Sequence, residues 1–220
     1  MPERAVIWDL DGVIADTASV HLWSWQEAFG EVGVTYTEAE FAGTFGRRNP
    51  EIIRVMLGPN VRAEVAEAIA ARKEELFRSA AAARVQAFPG VRELLVALKE
   101  RGWAQALASS APVENVELLL TTLGVRALLD AVVTERDVSV GKPAPDVFLV
   151  AASRLGVPPA CCVVIEDAVA GVAAAKAAGM RCVAVTNTHS AAHLSQADRV
   201  VESLTEVGPD DLARLLGEGA

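Results

Sequence analysis

Basic residues are scarce in this chain. Its 20 lysines and arginines stand against 29 aspartates and glutamates, which gives a formal net charge of −9. Nucleic acids and anionic membranes are bound by basic surfaces, so we expect neither as a partner. An anionic substrate would therefore be held by a few local cations or by a bound metal ion.

Cysteines and long hydrophobic runs are also few. The three cysteines lie at positions 161, 162 and 182, form no Cys-x-x-Cys pair, and are typical of small buried hydrophobes in a reducing compartment. No apolar run approaches the roughly 18 residues of a membrane span, and the N-terminal residues carry no signal-peptide segment. We therefore expect a cytoplasmic protein and, since no unusual apolar surface is evident, a monomer.

What the sequence does contain is a repeated alternation of short apolar runs and helical patterns. The chain has 220 residues and is 52% hydrophobic, enough for a sizeable core. Predicted strands cover residues 5–8, 103–108, 131–133, 162–165, 181–185 and 199–201. Predicted helices cover residues 91–101, 113–123, 146–155 and 168–178. This order predicts an α/β fold with a parallel sheet covered on both faces.

One stretch interrupts the alternation. Between residues 17 and 87 there is no convincing strand, and helical patterns occupy residues 18–29, 37–43, 50–56 and 61–84. The turn-forming Phe88-Pro89-Gly90 sequence then marks where the alternation of strands and helices resumes. We therefore predict a catalytic core made of residues 1–16 and 88–220, with a helical domain of residues 17–87 inserted after the first strand.

Polar residues follow the ends of several predicted strands. They are Asp9 and Asp11, the Ser109-Ser110 pair, Lys142 in Gly-Lys-Pro, and the Glu166-Asp167 pair. In a parallel sheet the carboxyl ends of the strands lie at one edge, where ligands bind. Each piece alone has a simpler explanation, as a turn or as a helix cap. Their coincidence at four strand ends favours one shared site.

The chemistry of these side chains indicates phosphoryl transfer. Clustered carboxylates repel one another, and a hard divalent cation such as Mg²⁺ offsets that repulsion. A carboxylate such as Asp9 can attack phosphorus, while Asp11 can protonate the leaving alkoxide and then activate water. Ser109 and Lys142 can bind the phosphate oxygens. The chain has no P-loop and no Gly-x-Gly-x-x-Gly sequence, so its sequence does not indicate a glycine-rich loop that binds a nucleotide.

The segments WDLDGVIADT, ASS, GKPAPDVF and VIEDAVAG, which begin at residues 8, 108, 141 and 164, resemble the haloacid dehalogenase-like hydrolase superfamily, specifically its β-phosphoglucomutase-like sugar-phosphatase branch. The resemblance implies a Rossmann-like core with a helical cap inserted after the first strand. It also implies that Asp9 is the nucleophile and Asp11 the general acid/base, and that Ser109 and Lys142 bind the transferring group. The implied Mg²⁺ ligands are Asp9, the backbone carbonyl of Asp11, Glu166 and Asp167. The acidic residues at 11 and 167 argue against dehalogenase chemistry.

The resemblance extends to the cap. It implies substrate contacts for eight residues: His21, Trp25, Gly46, Arg47, Arg48, Asn49, Lys73 and Ser110. Two of them have a structural alternative. Trp25 forms an apolar stripe with Leu22 and Phe29 and could pack in the core, and Lys73 belongs to a charged helical segment and could lie on a solvent-exposed face.

These residues are compatible with three candidate functions. The first is a Mg²⁺-dependent phosphatase acting on a small phosphorylated metabolite, such as a sugar or polyol phosphate, through an aspartyl-phosphate. The second is a sugar phosphate mutase, which the sequence after Ser110 disfavours because it lacks the basic residue found there in mutases. The third is a catalytically silent binding protein, disfavoured because the core positions carry competent residues.

Overall fold

A computed structural model describes residues 3–217 of the chain. Within them, six parallel strands form one sheet in the order β3-β2-β1-β4-β5-β6. The strands are β1 (Ala5–Trp8), β2 (Ala104–Ala108), β3 (Ala131–Val133), β4 (Cys162–Glu166), β5 (Arg181–Val185) and β6 (Arg199–Val201). The predicted parallel α/β fold is confirmed. The central strand β1 pairs with β2 on one side and β4 on the other.

The helices of the described residues alternate with these strands, except for four that follow β1. Those four are α1 (Ala18–Gly30), α2 (Glu38–Thr44), α3 (Asn49–Leu57) and α4 (Ala63–Arg84). The others are α5 (Val91–Glu100), α6 (Val113–Thr122), α7 (Asp146–Leu155), α8 (Val169–Ala177) and α9 (Pro209–Leu215). Helix α9 and four single-turn 3₁₀ segments were not predicted, because such short elements carry too little periodicity to be recognised.

The sheet is buried on both faces, as its continuous apolar strands indicate. In β1, Val6 and Trp8 face one hydrophobic cluster, and Ala5 and Ile7 face the other. The alternation follows from the twofold side-chain period of a strand. The indole of Trp8 is satisfied inside the core, where its Nε1 donates to the side-chain oxygen of Gln105 at 3.2 Å.

The helices between residues 17 and 87 have a hydrophobic cluster of their own. It includes Trp25, Phe29, Tyr36, Ile53 and Ile69. The C-terminal part of α4, with Phe77, Ala80 and Ala81, also packs into one of the two sheet clusters, so this helical region contacts the core directly. The division at residues 16/17 and 87/88 stays a prediction, and its outermost residues, 1–2 and 218–220, lie outside the described part. No described helix has the length and apolarity needed to cross a bilayer.

Candidate active site

The topology brings three strand ends together around Asp9. Strand β1 lies between β2 and β4, with Trp8 opposite Leu107 on one side and Ile165 on the other. The next residue, Asp9, is therefore flanked by the ends of β2 and β4. The backbone of Asp9 continues the sheet, since its N–H donates to the Ile165 carbonyl at 3.0 Å.

Lys142 joins two of these strand ends. Its Nζ donates to Asp9 Oδ1 at 2.5 Å and to Glu166 Oε1 at 2.6 Å, and only 5% of its side chain is exposed. The ammonium also lies 4.8 Å from the centre of the Phe148 ring. Burial lowers the pKa of Lys142, but the two carboxylates outweigh it, so the net pKa is raised and the cation is fixed.

The carboxylates at this edge carry more negative charge than Lys142 can offset. Burial raises the pKa of Asp9 to about 7; Lys142 opposes this rise, while Glu166 and Asp11 add to it. Burial also raises the pKa of Asp167 well above its usual value, with Glu166 and Asp9 contributing repulsion. An additional cation would stabilise both carboxylates in their ionised forms.

The donor set fits a hard divalent cation held by few protein groups. Within residues 3–217, no three acidic, histidine or cysteine side chains converge closely enough to form a metal site by themselves. Both oxygens of Glu166 are already engaged: Oε1 by Lys142, and Oε2 by the backbone N–H groups of Asp167 and Ala168, at 2.8 Å each. Oε1 accepts from Lys142 alone and keeps a second lone pair, so the direct bond from Glu166 to a metal ion stays a prediction. Asp9 and Asp167 remain as candidate carboxylate ligands.

Gly12 and Thr188 place Asp167 against the Asp-x-Asp-Gly turn. A Cβ at Gly12, whose φ is +86°, would lie only 1.9 Å from Asp167 Oδ2. The Thr188 hydroxyl donates to the same carboxylate oxygen. A glycine at this position therefore allows the backbone of the turn to approach the second acidic pair closely.

Asp11 is held on the other side of the turn by two donors from the start of α1. Its Oδ1 accepts from the Thr17 hydroxyl at 2.7 Å and lies 3.1 Å from His21 Nε2. Burial raises the pKa of Asp11, but the hydrogen bonds and charge of His21 and the hydroxyl of Thr17 outweigh burial, so the net pKa is lowered. His21 in turn stacks on Phe77 of α4, with ring centroids 4.2 Å apart.

Two adjoining cavities meet at Asp11. We call the smaller one the inner pocket. Residues near the strand ends and two residues of the loop between α2 and α3 line it, namely Asp9, Asp11, Phe45, Gly46, Ser109, Ser110, Lys142, Glu166, Asp167, Ala168, Ala170 and Gly171. We call the second the cap cavity; it is lined by Asp11, His21, Trp25, Phe41, Phe45, Gly46, Arg47, Asn49, Ile52, Lys73, Glu74, Ser110, Ala111, Pro112 and Glu135. The shared residues Asp11, Phe45, Gly46 and Ser110 connect the two cavities.

Seven of the eight residues expected to contact substrate line the cap cavity, and one does not. Arg48 lines neither cavity. Its guanidinium instead donates to the backbone carbonyls of Val138 and Ser139, at 3.2 Å each. It therefore ties the helical region to the loop that precedes Lys142, and the expectation of a substrate contact by Arg48 is not supported.

Lys73 and Trp25 have clear packing roles as well. Lys73 is only 2% exposed, so the alternative of a solvated helix face is wrong. Its ammonium pairs with Glu74 Oε1 at 2.8 Å and lies above the rings of Trp25 and Phe77. Trp25 belongs both to the helical hydrophobic cluster and to the cavity wall. Core packing and cavity lining are thus compatible at that position.

The sequence analysis missed several residues near the site. Thr188 follows strand β5, whose end is not one of the four strand ends with predicted site residues. Glu135 follows β3 directly, whereas the residue predicted for that strand end is Lys142, further along the chain. Glu74 and Asn115, which are hydrogen-bonded between α4 and α6, had no such signal.

Gly171 has a testable role in fixing Glu166. A Cβ at position 171 would lie 1.7 Å from Glu166 Oε1, and that carboxylate cannot move away freely because Lys142 and two backbone N–H groups hold it. We expect Gly171→Ala to destabilise the protein by about 1–3 kcal/mol in chemical unfolding and to lower activity about 10-fold. Gly43→Ala is the control, since a Cβ there meets nothing within 4 Å. Equal stability of the two variants would contradict this role.

A parallel sheet with a buried aspartate at the end of its central strand, and with a helical insertion directly after that strand, defines a capped Rossmann-like hydrolase. The chain belongs to the haloacid dehalogenase-like hydrolase family, whose profile matches residues 3–179.

Three similar proteins support this assignment. The chain is 35% identical over 206 residues to validoxylamine A 7'-phosphate phosphatase of Streptomyces hygroscopicus subsp. limoneus, covering 93% of this chain and 95% of that protein. It is 34% identical over 219 residues to hexitol phosphatase B of Escherichia coli (strain K12), covering 94% and 96%. Among solved structures, β-phosphoglucomutase from Clostridium difficile superimposes with a TM-score of 0.89 and 27% identity, covering 98% and 97%.

Proposed function

We propose that this protein is a phosphatase that hydrolyses the phosphate monoester of a small hydroxyl-bearing metabolite, with Mg²⁺ as its cofactor. The observation that carries the proposal is the Lys142 ammonium, which is buried against Asp9 and Glu166 at three adjoining strand ends. A fixed cation beside a carboxylate suits the transfer of an anionic group, because it offsets the charge of that group during the reaction.

Asp9 and Asp11 divide the chemistry between them. In the first step an Asp9 carboxylate oxygen bonds to phosphorus, the ester P–O bond breaks, and the leaving alkoxide takes a proton from Asp11. In the second step Asp11 takes a proton from water, the water oxygen bonds to phosphorus, and the bond to Asp9 breaks to release phosphate. Thr17 and His21 orient Asp11 in both steps.

The remaining polar groups of the inner pocket bind and position. Lys142 and the Ser109 hydroxyl would hold the oxygens of the transferring phosphoryl group, and the Ser109 hydroxyl accepts from the N–H of Ala111 at 3.1 Å. Asp9, Asp167 and the backbone carbonyl of Asp11 would hold Mg²⁺, which when bound offsets the charge on the phosphate oxygens. Glu166 acts through Lys142 and the turn at residues 167–168.

A sugar phosphate mutase is the second candidate, because the chain resembles a β-phosphoglucomutase structure over nearly its whole length. A mutase has to hold a bisphosphate between its two transfers. The cap cavity wall after Ser110 consists of Ala111 and Pro112, which supply no cation. Asn115 is buried and donates to Glu74. These features favour transfer of the phosphoryl group to water.

A substrate panel tests the proposal. We expect release of inorganic phosphate from p-nitrophenyl phosphate and from at least one sugar or polyol monophosphate, with activity lost on treatment with EDTA and restored by Mg²⁺. The measurement is phosphate release, with sugar products followed by chromatography. Conversion of β-glucose 1-phosphate to glucose 6-phosphate with little phosphate release would replace the phosphatase with the mutase, and activity that EDTA leaves unchanged would remove the metal.

A further inference from the structure

The cap cavity has an unusual balance of charge. Its two cations are Lys73 and Arg47, and its carboxylates beyond Asp11 are Glu74 and Glu135. Lys73 is already paired with Glu74, whose other oxygen accepts from the amide of Asn115. Arg47 is exposed and forms no ion pair with a described residue. Lys73 and Glu74 therefore offset each other, which leaves Arg47 and Glu135 as the unpaired charges of the cavity wall beyond Asp11.

Glu135 is fixed in the cavity wall by its backbone. It begins the short 3₁₀ segment after β3, where the Asp137 carboxylate accepts from the Thr134 N–H at 2.7 Å and so stabilises the turn. The N–H of Glu135 donates to the Ala111 carbonyl at 3.4 Å, which ties the turn to the segment after Ser110. The backbone at Glu135 is thus held against the core beside Ser110.

The carboxylate of Glu135 has no hydrogen-bond donor among residues 3–217, although the residue is half-buried. Burial raises its pKa; the charge of Arg48 opposes this rise and that of Glu74 adds to it. Arg48 does not form an ion pair with it, because the Arg48 guanidinium donates to the carbonyls of Val138 and Ser139. The Glu135 oxygens do not belong to the buried unpaired side-chain atoms of the described residues, so they are open to solvent and to a ligand in the cap cavity.

We propose that Glu135 is a specificity-determining residue, which accepts a hydrogen bond from a hydroxyl of the leaving group and repels a second phosphate. This inference rests on the proposed function, since the leaving group is the part of the substrate that occupies the cap cavity. The opposite wall suits such a group: Trp25, Phe45 and Ile52 offer apolar surface to the C–H face of a polyhydroxylated molecule.

The same carboxylate disfavours bisphosphates for a simple electrostatic reason. A second phosphate in the cap cavity would lie in a partly desolvated space beside Glu135, where like charges repel more strongly than in water. The amide of Asn49, which could otherwise donate to such a group, is engaged by Glu74 Oε1 at 2.7 Å. Selection therefore comes from repulsion of the wrong substrate as well as attraction of the right one.

The test compares Glu135→Gln and Glu135→Ala with the unaltered protein. Substrates are p-nitrophenyl phosphate, fructose 1-phosphate, glucitol 6-phosphate and fructose 1,6-bisphosphate. For Glu135→Ala we expect the KM of the hydroxyl-bearing monophosphates to rise about 10-fold, because a charge-assisted hydrogen bond is lost, with kcat and the p-nitrophenyl phosphate rate little changed. For Glu135→Gln we expect kcat/KM for the bisphosphate, relative to the monophosphates, to rise about 10-fold, because repulsion is removed.

Glu117→Gln is the matched control. Glu117 is an exposed carboxylate on α6 outside both cavities, so its replacement removes the same unit of charge without changing the cavity. An unchanged substrate ratio in Glu135→Gln, or the same change in Glu117→Gln, would overturn the inference. If the unaltered protein hydrolyses the hydroxyl-bearing monophosphates and Glu135→Ala leaves their KM unchanged, the inference is wrong while the proposed function stands. If it hydrolyses none of the four substrates, the proposed function fails and the inference fails with it.

Discussion

Replacement of Asp9 by Asn is expected to abolish phosphate release. The substitution keeps the shape of the side chain and leaves an oxygen to accept from Lys142, but an amide oxygen is not a nucleophile toward phosphorus. Loss of a covalent nucleophile lowers turnover by at least about 10⁴-fold. The fold should be retained, since the backbone of Asp9 and its bond to Ile165 are unchanged. The measurement is phosphate release at saturating substrate, with circular dichroism and a melting curve on the same sample.

A trapping experiment tests whether Asp9 forms a covalent bond to phosphorus or only binds the metal ion. Acid quenching of the unaltered protein during turnover, followed by borohydride reduction, should convert a phosphorylated carboxyl at Asp9 into an alcohol that peptide mass spectrometry detects. The Asp9→Asn variant should give no such product. Asp16→Asn is the control, since Asp16 is exposed and lines neither cavity, and it should behave like the unaltered protein. Measurable turnover by Asp9→Asn, or a label on another residue, would exclude the proposed mechanism.

The fold could be predicted from the sequence because the residue patterns that indicate its strands and helices are local and repeated. Strands β1, β3, β5 and β6 begin and end at the predicted residues, and β2 and β4 differ from the prediction by one residue each. Buried parallel strands are continuous apolar runs, and several of the intervening helices end at glycine, so both kinds of boundary are visible in one sequence. Asp9, Lys142 and Glu166, which the binding of ligands at the carboxyl ends of parallel strands predicts at one edge of the sheet, lie together there.

The parts that sequence could not reach depend on contacts between segments far apart in the chain. The burial of Lys73 follows from the packing of α4 against α1, and the arginine and glutamate neighbours of Lys73 in the sequence indicate solvent instead. The role of Arg48 depends on carbonyls about 90 residues away. The contacts of Glu166 with Lys142 and with the backbone N–H of Asp167 are likewise properties of the folded turn.

Replacement of Lys142 by Met is expected to damage both stability and activity. Methionine matches the length of the side chain but removes the ammonium, which leaves the carboxylates of Asp9 and Glu166 buried without their partner. Breaking a buried ion pair in this way costs about 3–5 kcal/mol. Losing a fixed positive charge at the transferring group should lower kcat on the order of 10³-fold. Urea unfolding and phosphate release measure the two effects on one preparation.

Lys176→Met is the matched control. Lys176 Nζ lies 2.6 Å from Asp198 Oδ2, the same distance as Lys142 from Glu166, but 36% of its side chain is exposed. Exposed pairs contribute roughly 0–1 kcal/mol, so this variant should retain its stability within that range and its full activity. Asp198 also keeps a second cation, Arg181 at 2.9 Å, so both the exposure of this pair and its remaining partner predict a small effect.

The double variant Lys142→Met with Glu166→Gln distinguishes the structural role of Lys142 from its catalytic role. Replacing Glu166 by Gln removes one of the two carboxylates that the first substitution leaves unpaired, so about half of the lost stability should return. Activity should not return, because no ammonium is available to the phosphoryl group. If activity recovers together with stability, Lys142 serves only to hold the strand ends together, and the charge at the phosphate must come from elsewhere. If neither recovers, the unpaired Glu166 carboxylate is not the source of the lost stability.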